Sequence, residues 1–158
     1  MNIRNKITTL FTILTGGIIL MLSIFIYHFS SKSVEKEFFH RLSVRGSIAA
    51  QAHYEEETLS AAVYNEIREK HLQRLPDERE YFFDDLPNSD SLKKQGIVLP
   101  MGFANQMAQN VRVEFIIGKV YYVAIPYLHE GKKYTVLMSA RNESGEQAMK
   151  DMRQNLFL

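Results

Sequence analysis

Residues 7–29 read ITTLFTILTGGIILMLSIFIYHF, twenty-three consecutive positions without Asp, Glu, Lys or Arg. Thirteen of them are Leu, Ile or Phe, and each such residue favours insertion of a helix into a bilayer by roughly 0.3–0.6 kcal/mol. At about 1.5 Å per residue the helix is roughly 34 Å long, which exceeds the hydrocarbon core of a membrane. The stretch therefore predicts a transmembrane helix at residues 7–29, preceded by a leader at residues 1–6.

The charges before this stretch predict its orientation. Arg4 and Lys6 precede it, and basic residues beside a span are retained on the cytoplasmic side. We therefore expect the amino terminus in the cytoplasm and residues 30–155 outside it. The alternative is a cleaved signal peptide, whose apolar region runs about 7–15 residues and ends at small side chains. This stretch is longer and ends in Tyr27, His28 and Phe29, which favours an uncleaved anchor.

Composition excludes several classes of function for the remaining chain. Residues 30–158 carry seventeen basic and eighteen acidic side chains, and this balance gives no reason to expect a nucleic-acid partner. The chain contains no cysteine, which excludes disulfides, zinc–thiolate sites and thiol nucleophiles. The length is that of one domain, and no sequence feature predicts a cofactor.

Helical periodicity continues directly after the apolar stretch. Apolar residues recur at three- and four-residue steps over residues 33–52, and only Gly46 interrupts them. The membrane helix is therefore predicted to continue outward into the domain. A second helix is predicted to begin at Thr58 or Ser60 and to end at Leu75, before Pro76.

Strand patterns dominate the second half of the chain. Residues 111–117, 120–127 and 134–141 are three strands joined by short turns, which make an antiparallel meander. Two weaker strands are predicted at residues 81–83 and 97–99, a loop at 86–96 and a short helix at 100–109. Ser144 and Gln147 predict a capping box for a final helix. The predicted fold class is α+β, an antiparallel sheet flanked by helices.

The carboxyl-terminal residues 156–158 are Leu, Phe and Leu. They are predicted to begin a second transmembrane helix. The alternative is that these side chains pack on the sheet.

Motifs for catalysis and metal binding do not emerge from the residue spacing. The five histidines lie at intervals that match no ligand motif, and the sequence contains no Gly-x-Ser-x-Gly, P-loop or dinucleotide fingerprint. We therefore predict no catalytic residue and no metal site in this chain.

Small residues recur within the membrane helix. Thr8, Thr12 and Gly16 are spaced by four residues, a pattern that lets a second membrane helix approach closely. The alternative is that small residues are simply tolerated in such helices.

The candidate ligand-binding residues lie in or beside the meander. Arg112, Tyr122, Tyr127 and Arg141 are predicted to hold a small anion such as a carboxylate, because guanidinium and phenol groups donate hydrogen bonds to it. The alternative is that the tyrosines are half-buried strand residues with hydrated hydroxyls.

The order of these parts resembles a known family. The basic leader, the span and the runs VEKEFFHRL (34–42), VYNEIREK (63–70), YYVAIPY (121–127) and YTVLMSA (134–140) resemble the amino-terminal region of bacterial sensor histidine kinases of two-component systems. The resemblance implies a PAS-like sensor domain in the periplasm between two helices of the inner membrane. It also implies a homodimer that senses a small molecule or an envelope component.

The kinase module itself has no counterpart in these residues. The sequence contains no phosphoacceptor histidine box and no ATP-binding domain, so kinase activity would belong to a continuation of the chain. Two other classes fit the same order of parts: a chemoreceptor-type input domain, and a membrane-anchored binding protein without kinase activity.

Overall fold

The structure, a computed structural model, describes residues 3–55 and 75–157, with side chains as far as residue 155. The elements follow one another as α1 (Ile3–Tyr54), β1 (Arg79–Phe83), α2 (Ser89–Lys94), α3 (Phe103–Ala108), β2 (Val113–Ile117), β3 (Val120–His129), β4 (Lys132–Arg141) and α4 (Glu143–Phe157). The α+β class predicted from the sequence is confirmed. The chain forms two compact units, Met1–Lys36 with Ser144–Leu158, and Glu37–Glu143.

The first unit contains the apolar stretch as regular helix. Between Ile3 and Phe29 the large apolar side chains of α1 are 51% to 78% exposed, and the helix is long and apolar enough to cross a membrane. The prediction of a long apolar helix near the amino terminus is confirmed. The same unit contains α4 from Ser144 onward. The helix begins at Glu143, so Ser144 lies inside its first turn. The Gln147 side chain donates to Asp151 at 2.7 Å and does not form the predicted capping box.

The second unit is built on a four-stranded antiparallel sheet in the order β1-β4-β3-β2. The three predicted meander strands are β2, β3 and β4, and the short aromatic strand predicted at 81–83 pairs with β4 as part of β1. Glu130 and Gly131 both have positive φ, the geometry of a type I′ turn between β3 and β4. Residues 97–99 form no strand, because Ile97 instead turns inward and is 2% exposed.

Helix α1 covers one face of this sheet. Its buried side chains, Phe38, Phe39, Leu42, Ala49 and Ala50, pack in one cluster with Val123, Ile125, Val136, Met138 and Ala140. The helix approaches the sheet closely at Gly46, where a Cβ atom would lie 2.5 Å from Ile125 Cδ1 and 2.7 Å from Met138 Cγ. The glycine that interrupts the sequence pattern is therefore the position at which the backbone of α1 meets the sheet.

Helices α2 and α3 cover the opposite face. Leu92, Ile97, Phe103 and Met107 pack there with Tyr122 and neighbouring strand residues. The loop predicted at residues 86–96 is wrong, because α2 forms within it. The Asn88 side chain caps α2 by accepting from Asp90 N at 2.9 Å, and burial of Leu92 at 1% exposure stabilises the short helix against its weak propensity.

A buried ion pair joins α1 to the segment before β1. The Arg45 guanidinium donates from Nε to Glu78 Oε1 at 2.8 Å, and its second nitrogen lies 2.7 Å from Oε2. Both side chains are less than 5% exposed, and Leu75 N donates to the same carboxylate at 3.0 Å. Removal of either partner would destabilise the fold, because the remaining charge would be buried without compensation.

Two predictions fall at the limits of the described chain. The predicted helix that begins at Thr58 or Ser60 lies outside the described residues, apart from its end at Leu75, which is buried. The second membrane helix was predicted to begin at residues 156–158. Helix α4 ends at Phe157, and the side chains from residue 156 onward are outside the described part of the chain.

Candidate functional site

The two arginines of the predicted anion site lie at the surface with acidic partners. Arg112 Nε is 2.9 Å from Glu114 Oε1, and its guanidinium donates to Ser43 Oγ at 3.4 Å. One Arg141 nitrogen donates to Asp77 at 3.3 Å and lies 3.8 Å from Glu143. In this arrangement the guanidinium groups join neighbouring elements of the fold.

The two tyrosines of that predicted site point to opposite faces of the sheet. Tyr122 packs in the cluster under α2 and α3, stacked on Phe115 with ring centroids 5.1 Å apart, and burial raises the pKa of its hydroxyl. Tyr127 packs against the α1 cluster. The structure therefore does not bring the four predicted residues together, and a ligand-binding role for each of them stays a prediction.

An aromatic cluster surrounds the carboxyl end of α1. The Tyr127 hydroxyl donates to the Glu55 carboxylate, and Tyr54 lies against Tyr134 with centroids 4.1 Å apart. Burial, followed by the bond to Glu55, raises the pKa of Tyr127 to about 12. The same bond, followed by one from Gln51, lowers the pKa of Glu55.

The rings of this cluster contact one another, so they contribute to the packing around the end of α1. Tyr54 stacks on Tyr127 at 5.8 Å, and Phe82 stacks on His53 at 4.0 Å. The Tyr54 hydroxyl is buried and finds no hydrogen-bond partner among the described residues. Burial, with the nearby charge of Asp84, raises its pKa.

An open cavity of about 410 Å³ lies between the segment that enters α2 and the segment that enters α3. Its volume falls within the range of small-molecule sites. The side chains that decide its chemistry are Leu86, Ser89, Lys93, Leu99, Phe103 and Asn105. Phe103 also belongs to the core cluster on this face of the sheet, so the cavity wall is anchored to the sheet.

The cavity combines an apolar wall with hydrogen-bond donors and one cation. Among the residues described as lining it, Lys93 alone carries a charge. The Lys93 ammonium lies 3.9 Å from Asp90 Oδ1, with side-chain exposures of 59% and 87%. A pair this exposed is worth about 0–1 kcal/mol, so Lys93 can exchange Asp90 for another anion.

The sequence patterns did not predict this cavity. Its walls come from the predicted loop at 86–96, the weak strand at 97–99 and the short helix at 100–109, and none of these assignments places Lys93 beside Phe103. The usable signal was the cap at Asn88 followed by Leu92, which together mark a short helix with one buried side chain.

The predicted packing stripe of the membrane helix lies on an exposed part of α1. The Thr8 hydroxyl donates to Arg4 O at 3.0 Å and that of Thr12 to Thr8 O at 2.9 Å. Both hydroxyls therefore have hydrogen-bond acceptors within the helix, which polar groups need in an apolar environment. A Cβ on Gly16 would meet nothing within 4 Å, and helix packing through this stripe stays a prediction.

Within residues 3–55 and 75–157 no group of three or more acidic or histidine side chains is placed to hold a metal ion. Comparison with protein-family models, curated proteins and solved structures found no match for this chain.

Proposed function

We propose that this chain is the signal-input region of a membrane receptor of the sensor histidine kinase type. The observation that supports the proposal best is the continuity of α1, which runs as one helix from Ile3 to Tyr54. Its first half carries the exposed apolar stretch, and its second half supplies five of the eleven buried residues of a core cluster. A displacement of the helix against the sheet can therefore be carried along one continuous helix.

Three contacts fasten the outer half of α1 to the sheet unit. Gly46 brings the helix backbone against Ile125 and Met138, the buried pair of Arg45 and Glu78 joins it to the segment before β1, and the aromatic cluster closes its carboxyl end. Close-packed protein cores rearrange between discrete states and do not deform continuously. A ligand that favours one arrangement of the sheet would thus select one position of α1.

The remaining parts of the proposal follow the resemblance and the charge pattern. The amino terminus lies in the cytoplasm, α1 crosses the inner membrane, and the sheet unit is a PAS-like domain in the periplasm. A four-stranded antiparallel sheet with a long helix on one face is compatible with that domain. A second membrane helix, the kinase module and homodimeric assembly complete the receptor.

The coding sequence after Leu158 tests the architecture. The proposal expects a second apolar stretch followed by a helical dimerisation segment and a kinase module. A stop codon directly after Leu158 would contradict it.

Coupling through α1 can be tested in the full receptor without knowledge of its natural signal. Gly46→Ala, which forces α1 and the sheet apart, should change the rate of autophosphorylation in membranes, while the exposed neighbour Ser47→Ala should not. Two glycines inserted between Phe29 and Val34 should abolish that difference. A seven-residue helical insertion at the same place, which preserves the helix face to within about 20°, should retain it. An undiminished Gly46→Ala effect in the glycine-inserted receptor would refute coupling along α1.

A membrane-anchored binding protein without kinase output is the second candidate. The cavity beside α2 favours it, since binding there needs neither a second membrane helix nor an output module. The same coding sequence distinguishes the two candidates.

A further inference from the structure

The geometry points to a binding site for an amphipathic monocarboxylate in the cavity between α2 and α3. This inference deepens the proposed function, and it rests on that function only for the statement that occupancy of the site is what the receptor senses. The binding itself follows from the chemistry of the cavity wall.

The apolar part of the ligand is set by three side chains. Leu86, Leu99 and Phe103 line the cavity, and Leu86 is 43% exposed to solvent. Leu99 is half-buried, and apolar side chains that line a cavity are typical of ligand sites. A short alkyl or aryl group placed there would remove this surface from water.

The polar part of the ligand is set by an excess of donors over acceptors. The Lys93 ammonium only donates, and the Ser89 hydroxyl and Asn105 amide can both donate and accept. No acidic side chain is among the described residues that line the cavity. A carboxylate offers lone pairs to all three kinds of donor, whereas an ammonium would meet the positive charge of Lys93.

The ion pair of Lys93 with Asp90 does not prevent this exchange. At 3.9 Å, and with both side chains more than half exposed, the pair is long and hydrated. A carboxylate held by the apolar wall also pairs with Lys93 in a less hydrated position, where the attraction is stronger.

The site lies where binding can reach the core. Phe103 is 5% exposed and packs with Tyr122, Leu137 and other residues on the face of the sheet opposite α1. The neighbouring strand residues Val136 and Met138 face α1. A ligand that shifts Phe103 therefore acts on β4, the strand whose other side contacts α1.

The test uses the full chain in lipid nanodiscs, with hexanoate as the probe and 1-hexanol and hexylamine as neutral and cationic analogues. Methyl-labelled methionine reports binding by NMR, because Met101 is fully exposed between the lining residues Pro100 and Gly102, and Met107 is buried in the same core cluster as Phe103. Empty nanodiscs correct for partition of the probes into lipid. We expect saturable shifts with hexanoate below about 10 mM, and at least tenfold weaker binding of both analogues.

Two pairs of variants locate the probe. Lys93→Gln should weaken hexanoate about tenfold and remove its advantage over 1-hexanol, while Lys94→Gln, the same charge change on the adjacent exposed lysine, should leave binding unchanged. Ala104→Phe fills the cavity and should abolish binding, while Gln106→Phe on the same helix, outside the cavity lining, should not.

Each opposite result overturns the assignment. It is refuted if hexanoate gives no saturable shift, if 1-hexanol binds as tightly, or if Lys94→Gln loses as much affinity as Lys93→Gln. None of these measurements involves a kinase, so their failure would remove the carboxylate site and leave coupling through α1 untouched. Failure of the glycine insertion experiment would remove coupling through α1 and leave the carboxylate site untouched.

Discussion

Substituting Gly46 by alanine should destabilise the sheet unit although alanine favours helix. Carbon atoms in contact prefer separations of about 3.5–4.0 Å, and the added Cβ would lie 2.5 Å from Ile125 Cδ1 and 2.7 Å from Met138 Cγ. Overpacking of this kind costs about 1–3 kcal/mol, while alanine in place of glycine contributes about 1 kcal/mol to the helix. We expect a net loss of about 1 kcal/mol in the free energy of unfolding.

The measurement is a urea titration of the full chain in mild detergent, followed by the near-ultraviolet dichroism of the tyrosines. Ile125→Val removes the atom nearest to the added Cβ, and this substitution alone should lower the free energy of unfolding by about 1 kcal/mol. Combined with Gly46→Ala it should lose less than the two separate losses together, because the new methyl group occupies the vacated space. Ser47→Ala is the control and should change stability by only a few tenths of a kcal/mol. A Gly46→Ala chain that gains the full helix contribution would refute the close approach.

The buried ion pair and the aromatic cluster give two further predictions. Arg45→Met leaves the Glu78 carboxylate buried without its guanidinium partner and should lower the free energy of unfolding by about 3–5 kcal/mol. Arg45→Met combined with Glu78→Leu should lower it by less. Equal losses would contradict a cost from the unpaired buried charge. Tyr127→Phe should bring the pKa of Glu55, followed by NMR, back toward 4.5, while the control Tyr134→Phe should not. Because the folded-state pKa of Glu55 is lowered, its stabilisation is complete above its unfolded pKa and is lost as pH falls through the folded value. Tyr127→Phe should therefore weaken the acid dependence of unfolding, and an unchanged profile would contradict the bond.

The candidate site was harder to predict than the fold. Alternation over residues 111–117 and the turn residues on either side of the next two strands identified the meander, because these signals lie within short continuous segments. The four proposed ligand residues were chosen by chemical type, and Tyr122 and Tyr127 lie an odd number of positions apart on β3. An odd separation places two side chains on opposite faces of a strand, so this pair was separated by the strand geometry itself.

Lys93 shows the complementary difficulty. Nothing in its own sequence neighbourhood indicates an apolar wall, because Leu99 and Phe103 reach the cavity from a different segment. Only the packing of Ile97 and Phe103 on the sheet brings that segment beside α2.

The sequence by itself determined the apolar helix, its continuation past residue 29, the meander and the α+β class, because each depends on a pattern within one continuous segment. Tertiary structure decided which residues of α1 meet the sheet, why position 46 is glycine, and where a cavity opens. These depend on contacts between segments distant in the chain, where burial outweighs local propensity. The short helix α2 illustrates the reason. Six residues form too short a helix to be stable alone, and burial of Leu92 provides the stabilisation that local helix propensity does not.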